Sequence, residues 1–308
     1  MVGIILLISV FLFGSTKNGS RGWFKLPGGL DFQPAEIMKI ILIITIAKII
    51  STKNGERLNF LKDVLYISII IFIPFMLVLI QPDLGNASIY LVVLIGMLWI
   101  GNIKYTHAFV TIIIFISTLT LFYFLYIHYH DDIKHIFQQI GVGHWANRLD
   151  AFIDPTQASK DETYHVKNAM TAIGSGGLYG EGYLKGTSVH ASYIPYSYSD
   201  SIFVVVSEEF GFLGSATLLL LYFLLIYRLI TIAVESKSRN GSLIVVGIAS
   251  MFVFQIFENV GMMMGIIPLT GITLPFISYG GTSLLLNMLS IGIVMSIKIY
   301  DKENEDYI

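Results

Sequence analysis

Residues 164–214 read YHVKNAMTAIGSGGLYGEGYLKGTSVHASYIPYSYSDSIFVVVSEEFGFLG, and they join a long polar segment to an apolar helix. The polar part ends at Asp200, a carboxylate that stands where the apolar run begins. Glycines crowd the middle of the stretch, and Tyr193, Tyr196 and Tyr198 precede the acid. A polar segment of this kind within an apolar chain indicates a membrane scaffold that holds a folded loop at its surface.

The composition of the chain as a whole is that of a membrane protein. Hydrophobic residues make up 55% and charged residues 13%, and the mean hydropathy is +0.73, whereas soluble domains carry about 25% charged residues. A net charge of -2 without a basic face argues against a nucleic-acid partner. The chain has no cysteine, which excludes disulfides and thiolate metal sites.

Apolar runs predict eight membrane-spanning helices, at residues 2–14, 34–51, 63–81, 85–101, 105–128, 202–229, 243–267 and 279–300. We therefore expect an all-α fold, a polytopic helical membrane bundle in a single domain covering residues 1–308, with one large folded extracellular loop at 129–201. The first run is too short to cross the ~30 Å lipid core, so it is a short first helix or the end of a longer one.

The distribution of Lys and Arg predicts the orientation. Basic residues concentrate in the connections at 52–62, 102–104 and 230–242 and in the C-terminal tail, which we assign to the cytoplasmic side. Residues 15–33 and the long loop then lie outside.

Two segments of the loop have apolar residues at helical spacing with charges between them. They are Ile133, Ile136, Phe137 and Ile140, and Trp145, Leu149, Phe152 and Ile153. This pattern predicts amphipathic helices, which either lie on the membrane surface or pack on the bundle.

Several polar residues have both a structural and a chemical interpretation. Glu36 and Lys39 are three residues apart at the start of an apolar helix, where an inward-facing ion pair explains both. Asp83 follows the helix-breaking Pro82, so it either caps the next helix or acts on a substrate. Arg21 either contacts lipid headgroups or anchors a phosphate.

Other polar features of the chain are less specific. Asp200 is either a helix cap or a catalytic acid or base. Glu208 and Glu209 lie inside an apolar span, so at least one must face the interior. The glycine run IGSGGLYGEG could cradle a phosphate, although it matches no P-loop pattern, and the histidines are too scattered to predict a metal site.

Six motifs in series resemble the SEDS family of bacterial cell-wall polymerases, the RodA/FtsW group. They are RGWFKLPGGLDFQPAEIMK, QPDLGNA, RLDAFIDP, AIGSGGLYGEG, SDSIFVVVSEEFGFLG and PLTGITLPFISYGGTSLL. The resemblance covers nearly the whole chain. It implies that the family's first two helices have no counterpart here, because Arg21 and Trp23 follow the first apolar run.

The resemblance also implies an activity. We expect a peptidoglycan glycosyltransferase that polymerises lipid II with inversion and releases polyprenyl diphosphate, for cell shape or division. The family's essential acid falls on Asp200. The substrate-binding positions that the motifs imply are Arg21, Glu36, Lys39, Asp83, Arg148, Asn168, Ser278 and Tyr279. Asn168 replaces a family glutamine, and Tyr198 and Ser199 replace the His-Thr pair before the acid.

No cofactor is required by these residues, although Mg²⁺ or Mn²⁺ could assist the diphosphate. The expected partners are lipid II, membrane lipids and a class B penicillin-binding protein, the last implied by the resemblance alone. Two alternatives remain, namely a flippase for the lipid-linked precursor and an inactive scaffold for a penicillin-binding protein. In a flippase, the intramembrane charges would serve gating or coupling.

Overall fold

The fold is described from a computed structural model, which covers residues 2–17, 20–25, 31–139, 143–153, 160–191 and 193–306. The helices are α1 (Val2–Phe13), α2 (Pro34–Ser51), α3 (Leu65–Ile80), α4 (Leu84–Ile100), α5 (Tyr105–His128), α6 (His130–Gln139), α7 (Gly143–Ile153), α8 (Lys160–Ser175), α9 (Thr187–His190), α10 (Ile202–Glu235), α11 (Arg239–Met263) and α12 (Gly281–Asp306). A π-helical turn, Phe60–Val64, leads directly into α3. The predicted all-α membrane bundle is confirmed.

A helix occupies each of the eight predicted spans. Five are long and apolar enough to cross a membrane: Phe60–Ile80, Tyr105–His128, Ile202–Glu235, Arg239–Met263 and Gly281–Glu303. Two more, α1 and α4, are apolar but shorter. The remaining helix, α2, carries Glu36, Lys39 and Lys48 among its 18 residues.

At the centre of the bundle lies α11, packed against α2, α4, α10 and α12. Lipid chains are as apolar as the side chains, so close packing holds such helices together. Small residues allow this approach: a Cβ on Gly96 would lie 2.2 Å from Ser250 Oγ, and one on Gly247 would lie 2.7 Å from Ile43 Cγ2. In contrast, Tyr126 is the only buried residue of α5, and most of its other side chains are exposed.

Three short strands were not predicted from the sequence. β1 (Ser15–Lys17), β2 (Ser20–Lys25) and β3 (Asp31–Phe32) form one antiparallel sheet in the order β1-β2-β3. Strands this short repeat the two-residue alternation too few times to reveal it. The sheet lies over the turn between α3 and α4, since Ser20 Oγ donates to the carbonyl of Gln81 at 2.5 Å. Its last strand contacts the start of α12, where the Thr282 hydroxyl donates to the Asp31 carbonyl.

The loop folds into helices as the apolar spacing predicted. Helices α6 and α7 occupy the two amphipathic segments, with Ile140 lying outside the described residues. A third helix, α8, follows them and packs on α10. The buried carboxylate of Asp150 joins α5, α6 and α7, because it accepts hydrogen bonds from Tyr126, His130 and Lys134 at 2.5, 2.7 and 2.8 Å.

Candidate active site

Asp200 lies at the end of the loop, two residues before α10 begins. The N-cap of α10 is Ser201, so Asp200 is not explained as the cap. Burial raises the pKa of its carboxyl to about 6, although nearby backbone N–H groups and Arg148 act to lower it. A carboxylate with this pKa is half deprotonated near pH 6 and is suited to accept a proton at neutral pH.

The chain around Asp200 is held by α11 and by the loop that follows it. Asn259 Nδ2 donates to the carbonyl oxygens of Asp200 and Ile272, each at 2.7 Å. Ser278 Oγ donates to the carbonyl of Ser199 at 2.7 Å, and the backbone N–H of Tyr279 donates to Tyr198 at 2.8 Å. Ser278 and Tyr279 therefore lie next to Asp200 through contacts with the backbone of Ser199 and Tyr198. Their substrate-binding role stays a prediction.

Gly271 lies beside the carboxylate in a backbone conformation that favours glycine. Its φ is +79°, and an added Cβ would lie 3.7 Å from Asp200 Oδ2. A side chain at this position would adopt a strained backbone conformation, and its Cβ would make an ordinary van der Waals contact with the acid.

Two loop helices bring further polar groups to Asp200. Arg148 on α7 acts electrostatically on both Asp200 and His165. Burial and Arg148 lower the pKa of His165, which keeps its imidazole neutral. Its Nε2 lies 3.2 Å from Ser201 Oγ, and that hydroxyl donates to Pro195, so the imidazole is the donor. Asn168 on α8 donates to the Tyr193 carbonyl at 3.2 Å.

A second polar cluster lies at the start of α2 and α4. Glu36 and Lys39 form an ion pair of 2.8 Å, with side chains that are 5% and 2% exposed, which confirms the inward-facing pair. Asp83 caps α4 through the backbone N–H of Asn86 at 3.1 Å and accepts from Gln33 Nε2 at 2.7 Å. Burial raises the pKa of Asp83.

Glu258 belongs to this second cluster and was not identified as a site residue from the sequence. It is 1% exposed on α11, accepts from Ser88 Oγ at 3.3 Å, and interacts electrostatically with Asp83 and Lys39. Asn259, the next residue, holds Asp200. Consecutive residues of α11 thus face the two clusters. A carboxylate inside an apolar span is itself a sign of function. Glu258, in the sequence FENVG, could therefore have been identified from the sequence.

Arg21 does not join either cluster. Side chains alternate along a strand, so Ser20 and Gly22 are buried on one side of β2 and Arg21 is exposed on the other. Its guanidinium donates to the carbonyls of Gly14 and Leu12 at 3.0 and 2.8 Å. A cation on the carbonyls just past a helix C-terminus is electrostatically favourable. Its proposed role as a phosphate anchor remains a prediction.

The glycine run packs against a break in α10. Gly211 has φ +64° and ψ -160° inside that helix, and the N–H groups of Phe212 and Leu213 donate to Gly177 and Leu178 at 2.9 and 3.2 Å. A Cβ on Gly176 would lie 2.0 Å from the Ser207 carbonyl oxygen. The glycines therefore allow close backbone contact, and this contact explains the run without a phosphate.

Glu208 and Glu209 are both buried at this break, as expected. The Glu208 carboxylate accepts from the backbone N–H groups of Ser188 and Val189 at 2.7 and 3.3 Å. It thus binds the first turn of α9, which is a sufficient structural explanation for an acid within an apolar span.

Among the described residues, no group of three or more His, Cys, Asp or Glu side chains is arranged to hold a metal ion. Glu36 and Asp83 nevertheless provide two carboxylates in one polar cluster. Mg²⁺ is commonly held by one or two carboxylates together with substrate phosphates. A divalent cation therefore remains a prediction for the substrate-bound state.

These features define a class: multi-pass membrane proteins with a partly buried acid held between a long folded loop and the helical bundle. The family model of FtsW, RodA and SpoVE, described as a cell cycle protein, matches residues 1–303. The chain belongs to this family, as the motifs indicated.

Relatives agree over nearly the whole chain. Peptidoglycan glycosyltransferase MrdB of Escherichia coli (strain K12) is 32% identical, covering 98% of this chain and 77% of the relative. Stage V sporulation protein E of Bacillus subtilis (strain 168) is 30% identical, covering 97% and 77%. Peptidoglycan glycosyltransferase RodA of Treponema pallidum is also 30% identical, covering 96% and 80%. The expected activity is thus the one that several of these relatives carry in their names.

Solved structures confirm the fold. One, described as "Structural coordination of polymerization and crosslinking by a peptidoglycan synthase complex", matches with a TM-score of 0.75 at 26% identity, covering 97% of this chain and 79% of that one. The rod shape determining protein RodA of Thermus thermophilus matches with a TM-score of 0.65 at 26% identity, covering 97% and 76%.

Proposed function

We propose that this protein is a peptidoglycan glycosyltransferase that polymerises lipid II. The observation that carries the proposal is the partly buried carboxylate of Asp200, with its raised pKa, at the boundary between loop and bundle. At this depth relative to the bilayer, the Asp200 carboxylate can reach the sugar of a lipid-anchored substrate. Family membership and the names of the relatives support the same activity.

In the proposed reaction, Asp200 accepts the proton of the acceptor sugar's hydroxyl group. The oxygen attacks the donor's anomeric carbon, a new C–O bond forms there, and the bond to the diphosphate breaks. Polyprenyl diphosphate departs with the electron pair. One carboxylate acting as a base on the acceptor gives inversion, whereas retention requires a second carboxylate as nucleophile.

We place the diphosphate near Lys39. This cluster holds one cation and the three acids Glu36, Asp83 and Glu258, so it needs further positive charge or protonated acids before it can receive another anion. Burial favours the protonated form of Asp83. A bound Mg²⁺ would supply positive charge at the leaving group.

The reaction takes place on the outer face in this proposal. The concentration of Lys and Arg in the connections at the opposite end supports this orientation. The exposed α5 offers a side of the bundle open to lipid, by which two polyprenyl chains can leave the site. A transpeptidase of the class B penicillin-binding type is the proposed partner, supported by the fold's similarity to a structure described as a synthase complex.

Reconstitution in vesicles distinguishes this function from the alternatives. With lipid II labelled on its sugar, we expect the protein to produce glycan polymer, and we expect Asp200→Asn to produce none while retaining its Tm. Movement of label between leaflets without polymer would indicate a flippase. Equal complementation of a deletion strain by wild type and Asp200→Asn would indicate a scaffold.

A further inference from the structure

Asn259 lies about one turn before the end of α11, and its side chain is fully buried. Its Nδ2 donates one N–H to the carbonyl of Asp200 and the other to the carbonyl of Ile272, each at 2.7 Å. The reverse orientation of the amide would place an oxygen against two carbonyl oxygens, so these contacts identify the nitrogen. Its Oδ1 has no hydrogen-bond partner among the residues that the structure describes. The amide therefore acts through its two donated bonds.

These two bonds join the chain segments that lie on either side of the Asp200 carboxylate. One segment is the turn that leads into α10, and the other is the connection between α11 and α12. Gly271 in that connection lies beside the acid, since an added Cβ would be 3.7 Å from Asp200 Oδ2. The Ser278 hydroxyl binds the preceding residue, Ser199, whereas Asn259 binds the main chain of Asp200 itself.

The same turn of α11 is also anchored at the second polar cluster. Glu258, the residue before Asn259, accepts from Ser88 Oγ on α4 at 3.3 Å. Groups carried by a helix are held more precisely than groups carried by loops. Two consecutive residues of α11 therefore set the distance between the main chain of Asp200 and the cluster around Lys39. In the proposed reaction these are the sites of the base and of the leaving group.

We propose that Asn259 is a positioning residue for glycosyl transfer, because through the main chain of Asp200 it holds the carboxylate at the hydroxyl of the acceptor sugar. This inference rests on the proposed function. A displacement of about 1 Å at a reacting group can cost ~10²-fold in rate. An amide that served only to stabilise the fold would change the amount of folded protein and would leave the rate of each folded molecule unchanged.

Steady-state kinetics with purified lipid II tests the proposal in Asn259→Leu, which has a similar volume and no donor. At equal amounts of folded protein we expect kcat to fall ~10²-fold. The KM for lipid II should stay close to that of wild type, because the base is displaced while the substrate contacts remain. Asn259→Asp keeps the shape, but its ionised form cannot donate, so its kcat should fall as well. Should Asn259→Leu not fold, Asn259→Ser takes its place, since a hydroxyl donates a single hydrogen bond.

Ile248→Ala is the matched control for a loss of packing. Ile248 is fully buried on the same helix, and it lies about 16 Å along that helix from Asn259. The cavity left by this substitution should lower the Tm. The kcat per folded molecule should stay at the wild-type value, because the site of the cavity is remote from Asp200.

The acid limb of the kcat/KM profile gives a second readout, which a change in packing alone does not move. Burial raises the pKa of Asp200 to about 6, and a carboxylate released from its held position becomes more hydrated. The limb of Asn259→Leu should therefore shift to lower pH. The limb of Ile248→Ala should stay at the wild-type position.

The outcomes separate this inference from the proposed function. If wild type forms polymer, a kcat for Asn259→Leu equal to that of Ile248→Ala would overturn the inference alone. An unmoved acid limb would do the same, and so would a raised KM at unchanged kcat, which would indicate a role in binding. No polymer from wild type would contradict the proposed function and the inference together.

Discussion

Two opposing effects act on the carboxylate of Asp200. Burial raises its pKa, and the positive charge of Arg148 lowers it, with a net value of about 6. A base is active when deprotonated, so kcat/KM should fall as the pH drops below about 6. The position of that acid limb reports on the surroundings of Asp200 in the free enzyme.

Replacing Arg148 should move the acid limb. Arg148→Gln removes the cation that favours the carboxylate, so the pKa of Asp200 rises and the limb shifts to higher pH. Activity at pH 6 should fall more than activity at pH 8 when glycan synthesis is followed across this range. Lys167→Gln removes a charge from an exposed position on the same loop and should leave the profile unchanged. An unmoved limb in Arg148→Gln would show that the two groups are not coupled.

Glu258 can be tested by separating its charge from its packing. Glu258→Gln keeps the acceptor for Ser88 and nearly the same volume, so its Tm should stay close to that of wild type. Glu258→Ala removes both the charge and the side-chain volume, while the Ser88 hydroxyl keeps its hydrogen bond to the Gly85 carbonyl at 2.6 Å, so any loss of Tm in this variant reports on packing. We expect glycan synthesis by Glu258→Gln to fall at least tenfold, because the charge near Lys39 is lost. Full activity in that variant would show a purely structural role.

At the scale of elements, the glycine run of the loop and the break in α10 pack against each other in one close backbone contact. Gly211→Ala places a side chain in a backbone region that is nearly confined to glycine, at a cost of about 1–3 kcal/mol. Gly176→Ala meets the Ser207 carbonyl. Both should lower the Tm. The matched control is Gly174→Ala in α8, where an added Cβ meets nothing within 4 Å, and it should be neutral or stabilising. Equal Tm values for the three variants would show that this backbone contact does not stabilise the fold.

The stability of the hydrogen bonds by which Asp150 connects α5, α6 and α7 should depend on pH. The hydrogen bond to Asp150 raises the pKa of His130, so its stabilising contribution is complete below pH ~6.5 and is lost as the pH rises through the folded-state pKa. The protection factors for hydrogen exchange in α6 and α7, which are corrected for the intrinsic pH dependence of amide exchange, should therefore fall above neutral pH. His130→Gln should abolish this pH dependence, and His135→Gln, at an exposed position, should not. A pH dependence that persists in His130→Gln would place the titrating group elsewhere.

For the molecule as a whole, hydropathy was enough to locate the eight helices, because a run of mostly apolar residues marks each of them, even where the helix is short, as in α1 and α4. The inward ion pair of Glu36 and Lys39 was also predictable, since both lie within one turn of a helix. Sequence alone did not predict the contacts of the glycine run, Glu208 and Arg21, because no local pattern connects the residues that these contacts join. Asp200 and its neighbours Ser278 and Tyr279 came from the family resemblance, and their proximity required the fold.

The proposed reaction depends on one aspartate that takes a proton from a lipid-linked sugar. The direct measurement is glycan chain formation from purified lipid II by wild type, Asp200→Asn and Asp131→Asn, each at equal amounts of folded protein. Asp131 is a fully exposed carboxylate of the same loop, so its variant should polymerise like wild type. Asp200→Asn should be at least 10²-fold slower. Polymer from Asp200→Asn at the wild-type rate would contradict the account.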